Sequence, residues 1–231
     1  MMEQFDIESK EITLYHSGKP DRPLVILNNF DGDGSAVVKE ITQEQEFDFN
    51  LASIGNLDWE RDMTPWDCPP VFSRTAPFTG GADDYLQVLL AEILPAIKNR
   101  MNGKPSSIGI AGYSLAGLFA IYALYQTDVF DCAASMSGSL WFPGFTEYCL
   151  THTMKRQPER VYLSLGDKEG KTRNHLMQNV QKNTETIAMH MKEHGIAVKW
   201  EQNPGNHFQD ADFRSAKGIL HIIKNKDLQD S

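Results

Sequence analysis

Ser114, the carboxylates Asp167 and Glu169, and His207 stand along the chain in the order serine, acid, histidine. That is the order in which a strand-borne nucleophilic serine meets its helpers. A serine hydroxyl is a poor nucleophile at its own pKa. It attacks an acyl carbon only when a histidine takes its proton and a carboxylate holds that histidine in the right tautomer. Ser114 lies in Ile110-Ala-Gly-Tyr-Ser-Leu-Ala-Gly-Leu118, where an apolar strand runs into a serine set between small residues and a helix follows at once. In such an elbow the serine sits at the tip of a sharp turn whose flanking side chains would collide. Small residues are therefore required two positions before it and two or three after, and these are Gly112, Ala116 and Gly117. The usual pattern has glycine where this chain has Ala116, a difference of one methyl group.

The partners are placed as the chemistry requires. Val161-Tyr-Leu-Ser-Leu-Gly-Asp-Lys-Glu169 is a strand, a glycine turn and two carboxylates, so either Asp167 or Glu169 can serve as the acid. Gln202-Asn-Pro-Gly-Asn-His-Phe208 is a strand end and a turn carrying His207 just before the last helix. Catalysis at Ser114 also needs backbone donors aimed at the developing oxyanion. The N–H of Leu115, next after the serine, is the first expected donor. The second is expected from the loop after Leu24-Val-Ile-Leu-Asn-Asn-Phe-Asp-Gly32, at the N–H of Phe30.

Other chemistries compete for this sequence and fare worse. His190-Met-Lys-Glu-His194 fits the H-x-x-E-H pattern of zinc proteases. However, Ile187 and Met191 mark a buried face there, His194 falls at the helix end before Gly195, and no third ligand is evident. Asp31-Gly-Asp-Gly34 lacks the remaining ligands and terminal Glu of a calcium loop. Cys68, Cys132 and Cys149 are an odd number without metal spacing or an activating motif, which fits free thiols in a reducing compartment. His16, His152, His175 and His221 have no catalytic context. No metal or cofactor is expected.

The elements that must hold these residues alternate between short β-rich runs and helical patterns, which reads as one α/β domain over residues 1–231 with helices covering a mostly parallel sheet. Phe5–Ile7 and Ile12–Tyr15 are expected as paired edge strands, and Leu24–Asn28 and Asp48–Ile54 as further strands. Tyr85–Met101 is expected as a helix kinked at Pro95. Ser107–Ala111 is the strand before the elbow, and Leu115–Tyr125 is a helix apolar on nearly all sides. Asp131–Met136 and Val161–Leu165 continue the sheet. Thr172–His194 is expected as a long helix, Ala197–Gln202 as the last strand and Ala211–Ile223 as the closing helix. Residues 55–82 break this rhythm with Trp59, Pro65, Trp66, Pro69, Pro70, Phe72, Pro77 and Phe78, too aromatic for a free linker, and are expected to form a cap or rim over the site.

Composition narrows the partners. A formal net charge of −9 argues against nonspecific nucleic-acid binding, which needs a Lys/Arg surface. No run approaches the ~18 apolar residues of a membrane span. The segment 1–10 is polar and acidic, without the blocks of a signal peptide, so the expected location is the cytoplasm. A small-molecule substrate is compatible with these patterns, an anionic one included, and oligomeric state does not follow from them.

With the elbow, the acid strand and the histidine loop in place, the chain resembles the esterase family of α/β-hydrolases that includes esterase D, feruloyl esterases and siderophore esterases. Gly112-Tyr-Ser-Leu-Ala-Gly117 carries the resemblance. So do Met136-Ser-Gly-Ser-Leu-Trp141, similar to a Ser-rich turn ending in Trp, and the aromatic segment Leu57-Asp-Trp-Glu-Arg-Asp-Met-Thr-Pro-Trp66. The resemblance covers most of the chain. It implies an α/β-hydrolase fold and a cofactor-free serine esterase, with Ser114 as nucleophile and His207 as base. The acid is Glu169 or Asp167, with Glu169 favoured because the family acid often stands three residues past the turn glycine; some siderophore esterases use only Ser and His. Trp66 and Trp141 are implied substrate contacts, and Trp59 and Tyr113 are expected beside them. Acyl transfer or thioester hydrolysis would use the same groups. A non-catalytic ligand-binding module would keep only the scaffold.

Overall fold

A computed structural model describes residues 1–30, 32–71 and 76–223. In chain order its elements are β1 (Met2–Ile7), β2 (Lys10–Tyr15), β3 (Leu24–Asn28), α1 (Ser35–Glu44), β4 (Asn50–Gly55) and the one-turn α2 (Trp59–Asp62). A small ribbon of β5 (Asp67–Cys68) and β6 (Phe78–Thr79) follows, then α3 (Ala82–Val88), a π-helical stretch Leu89–Ile93 and α4 (Leu94–Arg100). The second half holds β7 (Ile108–Tyr113), α5 (Leu115–Gln126), β8 (Cys132–Met136), α6 (Phe145–Thr151), β9 (Arg160–Gly166), α7 (Val180–Glu193), β10 (Ala197–Asn203) and α8 (Ala211–Ile223).

Among the described residues eight strands form the main sheet in the order β1-β2-β4-β3-β7-β8-β9-β10. Among the described residues of this sheet only β2 runs against its neighbours, pairing antiparallel with both β1 and β4, while the other pairings are parallel. Strands such as β3 and β8 are buried at every position, as expected where helices cover both faces. Alternation along β3 splits the core: Leu24 and Ile26 face the layer containing α3 to α7, whereas Val25 and Leu27 face α1 and α8. α5 is buried around nearly its whole circumference, which accounts for its all-apolar sequence.

Three local expectations change. The helix expected over 85–101 starts at Ala82 and passes Pro95 by way of the π-helical stretch Leu89–Ile93, which lets the backbone run on past a residue with no N–H. The helix expected from Thr172 begins only at Val180, after a 3-10 turn at Met177–Asn179. Asn174 is the reason: its Oδ1 accepts the N–H groups of Leu176 and Met177 at 3.0 and 3.3 Å, holding the chain in a turn. The segment between Asn28 and Asp48, to which the pattern assigns no element, contains α1, which buries only Val37 and Ile41.

Candidate active site

β7 delivers Ser114 at the carboxyl end of the sheet's middle, where a ligand crevice forms in an α/β fold. The serine backbone has φ 59 and ψ −122, a costly conformation for a residue with a Cβ, and its neighbours hold it there. Ser114 N–H donates to Met136 O at 3.1 Å, and Ser114 O accepts from Ser139 N at 2.9 Å and Gly117 N at 3.0 Å. Gly117 packs so close to β8 and its following turn that a Cβ would stand 2.8 Å from Ser135 Oγ and 2.9 Å from Gly138 Cα.

The groups singled out in the sequence converge on this serine. His207 Nε2 lies 3.1 Å from Ser114 Oγ, and His207 Nδ1 lies 2.7 Å from Glu169 Oε2. Glu169 Oε1 accepts from Ser137 Oγ at 2.7 Å and from Gly166 N–H at 2.5 Å, with Arg214 Nη1 at 3.4 Å. Burial pushes the Glu169 carboxyl up, but the hydrogen bonds from His207, Gly166 and Ser137 and the His207 charge outweigh it, so the group sits below its usual range. Asp167 goes elsewhere. Its exposed side chain accepts the Gly205 N–H at 2.7 Å, and its own N–H donates to Asn203 O at 2.8 Å, tying the end of β9 to the histidine loop. The tie is tight: a Cβ on Gly166 would meet Gly205 O at 2.4 Å.

Tyr113, expected at the substrate, stands beside Ser114 at the end of β7 and lines one of the cavities there. Its hydroxyl donates to His207 O at 2.7 Å and accepts from Arg214 Nη1 at 3.2 Å, while its ring borders the smaller of two cavities. Arg214 was not foreseen, although one signal marked it: it falls on the core stripe of α8 with Ser215, Gly218, Ile219 and Ile222. Ser137 and Phe208 were also missed.

Two cavities meet at Ser114. The larger, about 550 Å³, is lined by Trp59, Phe78, Leu115, Trp141, Met177 and Val180 among others. The smaller, about 380 Å³, is lined by Asn28, Phe30, Val37, Tyr113 and Ser215 among others. Trp59, Ser114, His207 and Phe208 border both, so the pair at the centre has space on two sides. Leu115 opens α5, where the first N–H groups have no carbonyl within the helix to bond, and Phe30 is 71% exposed beside Trp59, their ring centres 5.0 Å apart.

The 55–82 segment contributes Trp59, Glu60, Ala76 and Phe78 to the larger cavity. It is anchored by the buried Asp62, which accepts from Lys10 Nζ at 2.5 Å and from Arg61 at 3.1 Å. Trp66 does not line either cavity. Its Nε1 donates to Pro143 O at 3.0 Å, and its ring packs on Phe142, Phe145 and Tyr148. The expectation of a substrate contact at Trp66 is therefore corrected to one of packing; Phe72, and Asp31 of the considered calcium loop, lie outside the described residues.

The rival groups do not reach this centre. Burial pushes the thiols of Cys132 and Cys149 up to about 12, which keeps them neutral, and all three cysteines are buried and free. His190 and His194 border a separate cavity, and His194 Nδ1 is 2.8 Å from His190 O. Among the described residues no cluster of three or more His, Cys, Asp or Glu could hold a metal ion, and no helix is long and apolar enough to cross a membrane.

Comparison with known proteins agrees in fold and family. The family model described as "Putative esterase" matches residues 42–216. The uncharacterized protein YbbA of Bacillus subtilis (strain 168) is 28% identical over 138 residues, a match spanning 58% of this chain and 55% of that relative. Among solved structures, an IroE-like serine hydrolase from Shewanella oneidensis superposes with a TM-score of 0.75 at 18% identity, over 96% of this chain and 79% of that one. Siderophore hydrolase EstB from Aspergillus nidulans gives 0.67 at 20% identity, over 96% and 94%. The enterobactin esterase FES from Shigella flexneri gives 0.69 at 19% identity, over 96% and 58%.

Proposed function

The chain belongs to this esterase family and has an α/β-hydrolase fold, and from that premise we propose that it hydrolyses carboxylic esters through an acyl-enzyme on Ser114. The observation that carries the reading is the relay itself, with Ser114 Oγ 3.1 Å from His207 Nε2 and His207 Nδ1 2.7 Å from Glu169.

In this reading Ser114 Oγ attacks the ester carbonyl as His207 Nε2 takes its proton. The N–H groups of Leu115 and Phe30 receive the oxyanion, each such donor contributing ~2.7–4 kcal/mol to the transition state. The tetrahedral intermediate collapses, the C–O bond to the alcohol breaks, and His207 returns the proton to the leaving oxygen. Water then enters, loses a proton to His207 and attacks the acyl carbon; collapse frees the acid and restores Ser114 Oγ–H. Glu169 keeps the Nδ1 proton in place throughout and stabilises the imidazolium.

Space on both sides of Ser114, lined largely by aromatic and aliphatic groups, favours an ester whose acyl and alcohol parts are both bulky. Solved proteins of this fold include ones named for siderophores and enterobactin, which supports the same choice. The test is a panel of esters varied separately on the acyl and alcohol sides, run with wild type and Ser114→Ala, beside labelling by a fluorophosphonate probe. Adduct on Ser114 and hydrolysis abolished in Ser114→Ala are the expected results. A folded wild type that takes no probe and cleaves no ester would refute the reading.

A further inference from the structure

Arg214 is 1% exposed, and its side chain reaches from α8 into the space behind the site. A buried guanidinium costs more in lost hydration than its attraction to one carboxylate returns unless its N–H groups are also bonded. They are bonded here, and every partner belongs to the machinery around Ser114. Nη1 shares its two N–H bonds among Tyr113 Oη at 3.2 Å, Ser137 Oγ at 3.2 Å and Glu169 Oε1 at 3.4 Å, while Nη2 donates to Pro204 O at 2.9 Å.

These partners come from four different places in the chain. Tyr113 ends β7 and precedes the nucleophile, Ser137 follows β8, Glu169 sits in the turn after β9, and Pro204 opens the loop that carries His207. Two of them bear directly on the relay. Ser137 Oγ donates to the same Glu169 oxygen that faces Arg214, so Oε1 is occupied and Oε2 is left for His207. Tyr113 Oη in turn donates to His207 O.

We infer that Arg214 is a positioning residue for the reaction at Ser114, one planar cation that holds the elbow strand, the acid turn and the histidine loop in register. Arginine suits this because its fixed fork of donors reaches several acceptors at once, whereas a lysine ammonium can keep the charge but not the spread of bonds. A plain core position on the stripe with Ile219 and Ile222 would need none of them.

The inference rests on the acyl-enzyme reading, and its test separates the two. Arg214→Lys and Arg214→Met are compared with wild type by the rate of fluorophosphonate labelling at Ser114 and by kcat and KM on one ester. Misplacement by about 1 Å can cost ~100-fold, so Arg214→Met should lose about that in kcat and in labelling rate, with Arg214→Lys between it and wild type. KM should hold within about threefold, because Arg214 lines neither cavity. A folded Arg214→Met with wild-type kcat and labelling overturns the inference. If both variants lose their cooperative melting, Tyr113→Phe decides, since it removes only the hydroxyl between Arg214 and His207 O: labelling slowed about tenfold is expected from lost positioning, and labelling at the wild-type rate overturns it. A wild type that takes no probe would sink the acyl-enzyme reading, and this inference with it; a labelled wild type with unaffected variants sinks this inference alone.

Discussion

Gly112 and Ala116 occupy each other's space: a Cβ built on Gly112 would stand 2.5 Å from the Ala116 Cβ and 2.4 Å from the Ala116 backbone. The methyl group that departs from the usual elbow pattern is accommodated because the other side of the crossing has none. Gly112→Ala should therefore open the elbow, abolishing probe labelling and lowering the melting temperature, whereas Ala116→Gly should retain activity. Melting curves read beside active-site labelling check both variants.

Glu169 and Asp167 are separable by function. Glu169→Gln should lower kcat by ~10,000-fold, as the amide replacement of the orienting carboxylate does in a serine–histidine–acid relay. Asp167→Asn should leave turnover within a few fold, because an amide oxygen can still accept the Gly205 N–H. Steady-state kinetics on a single ester decide, and the opposite ranking would reassign the acid.

The same glutamate makes stability depend on pH. Its carboxyl is held below the ordinary value of 4.5, so the folded protein binds that proton more weakly than the unfolded chain does. The stabilisation is fully present above the unfolded value and is lost as pH falls through the folded one. The difference in melting temperature between wild type and Glu169→Gln should be constant near neutral pH and shrink below about pH 4.5. A difference that stayed constant down to acid-induced unfolding would contradict it.

Trp59 and Trp66 differ in their surroundings, the first lining the cavities at Ser114 and the second packed against aromatic rings. Trp59 borders both cavities, so Trp59→Ala should reduce kcat/KM on bulky esters about tenfold, or ~1.4 kcal/mol, with little change on an acetyl ester. Trp66 packs against Phe142, Phe145 and Tyr148, so Trp66→Ala should cost about 3 kcal/mol of stability. Denaturant titrations and kinetics on the two variants test the division.

Much of this was legible in the chain because burial writes itself into residue type. The fully buried β3 and β8 and the all-apolar α5 announce themselves, and so does an elbow whose crossing tolerates only small side chains. The remainder depends on contacts between segments far apart in sequence. Spacing left Asp167 and Glu169 open because the turn after β9 decides which carboxylate faces inward. α1 buries only Val37 and Ile41 and so lacks a strong apolar stripe. The start of α7 is displaced by one asparagine side chain. The family resemblance implies a site role for Trp66, yet its partners in α6 draw it into packing, and the place of Arg214 on the core stripe of α8 marks it as buried without naming its four acceptors, which come from distant parts of the chain.

Among the described residues β10 pairs with β9 alone, at the end of the sheet order, and the turn bearing His207 hangs from its end. Ser114 and its elbow, by contrast, rest on β7 in the sheet's interior. Edges of a fold open at lower free energy than its centre. On gentle heating His207 should part from Ser114 while the rest of the chain stays folded, so on the proposed mechanism ester hydrolysis should fade, reversibly, several degrees before the cooperative melt. Amide hydrogen exchange would show the same hierarchy, with the backbone of 197–207 exchanging ahead of 108–113.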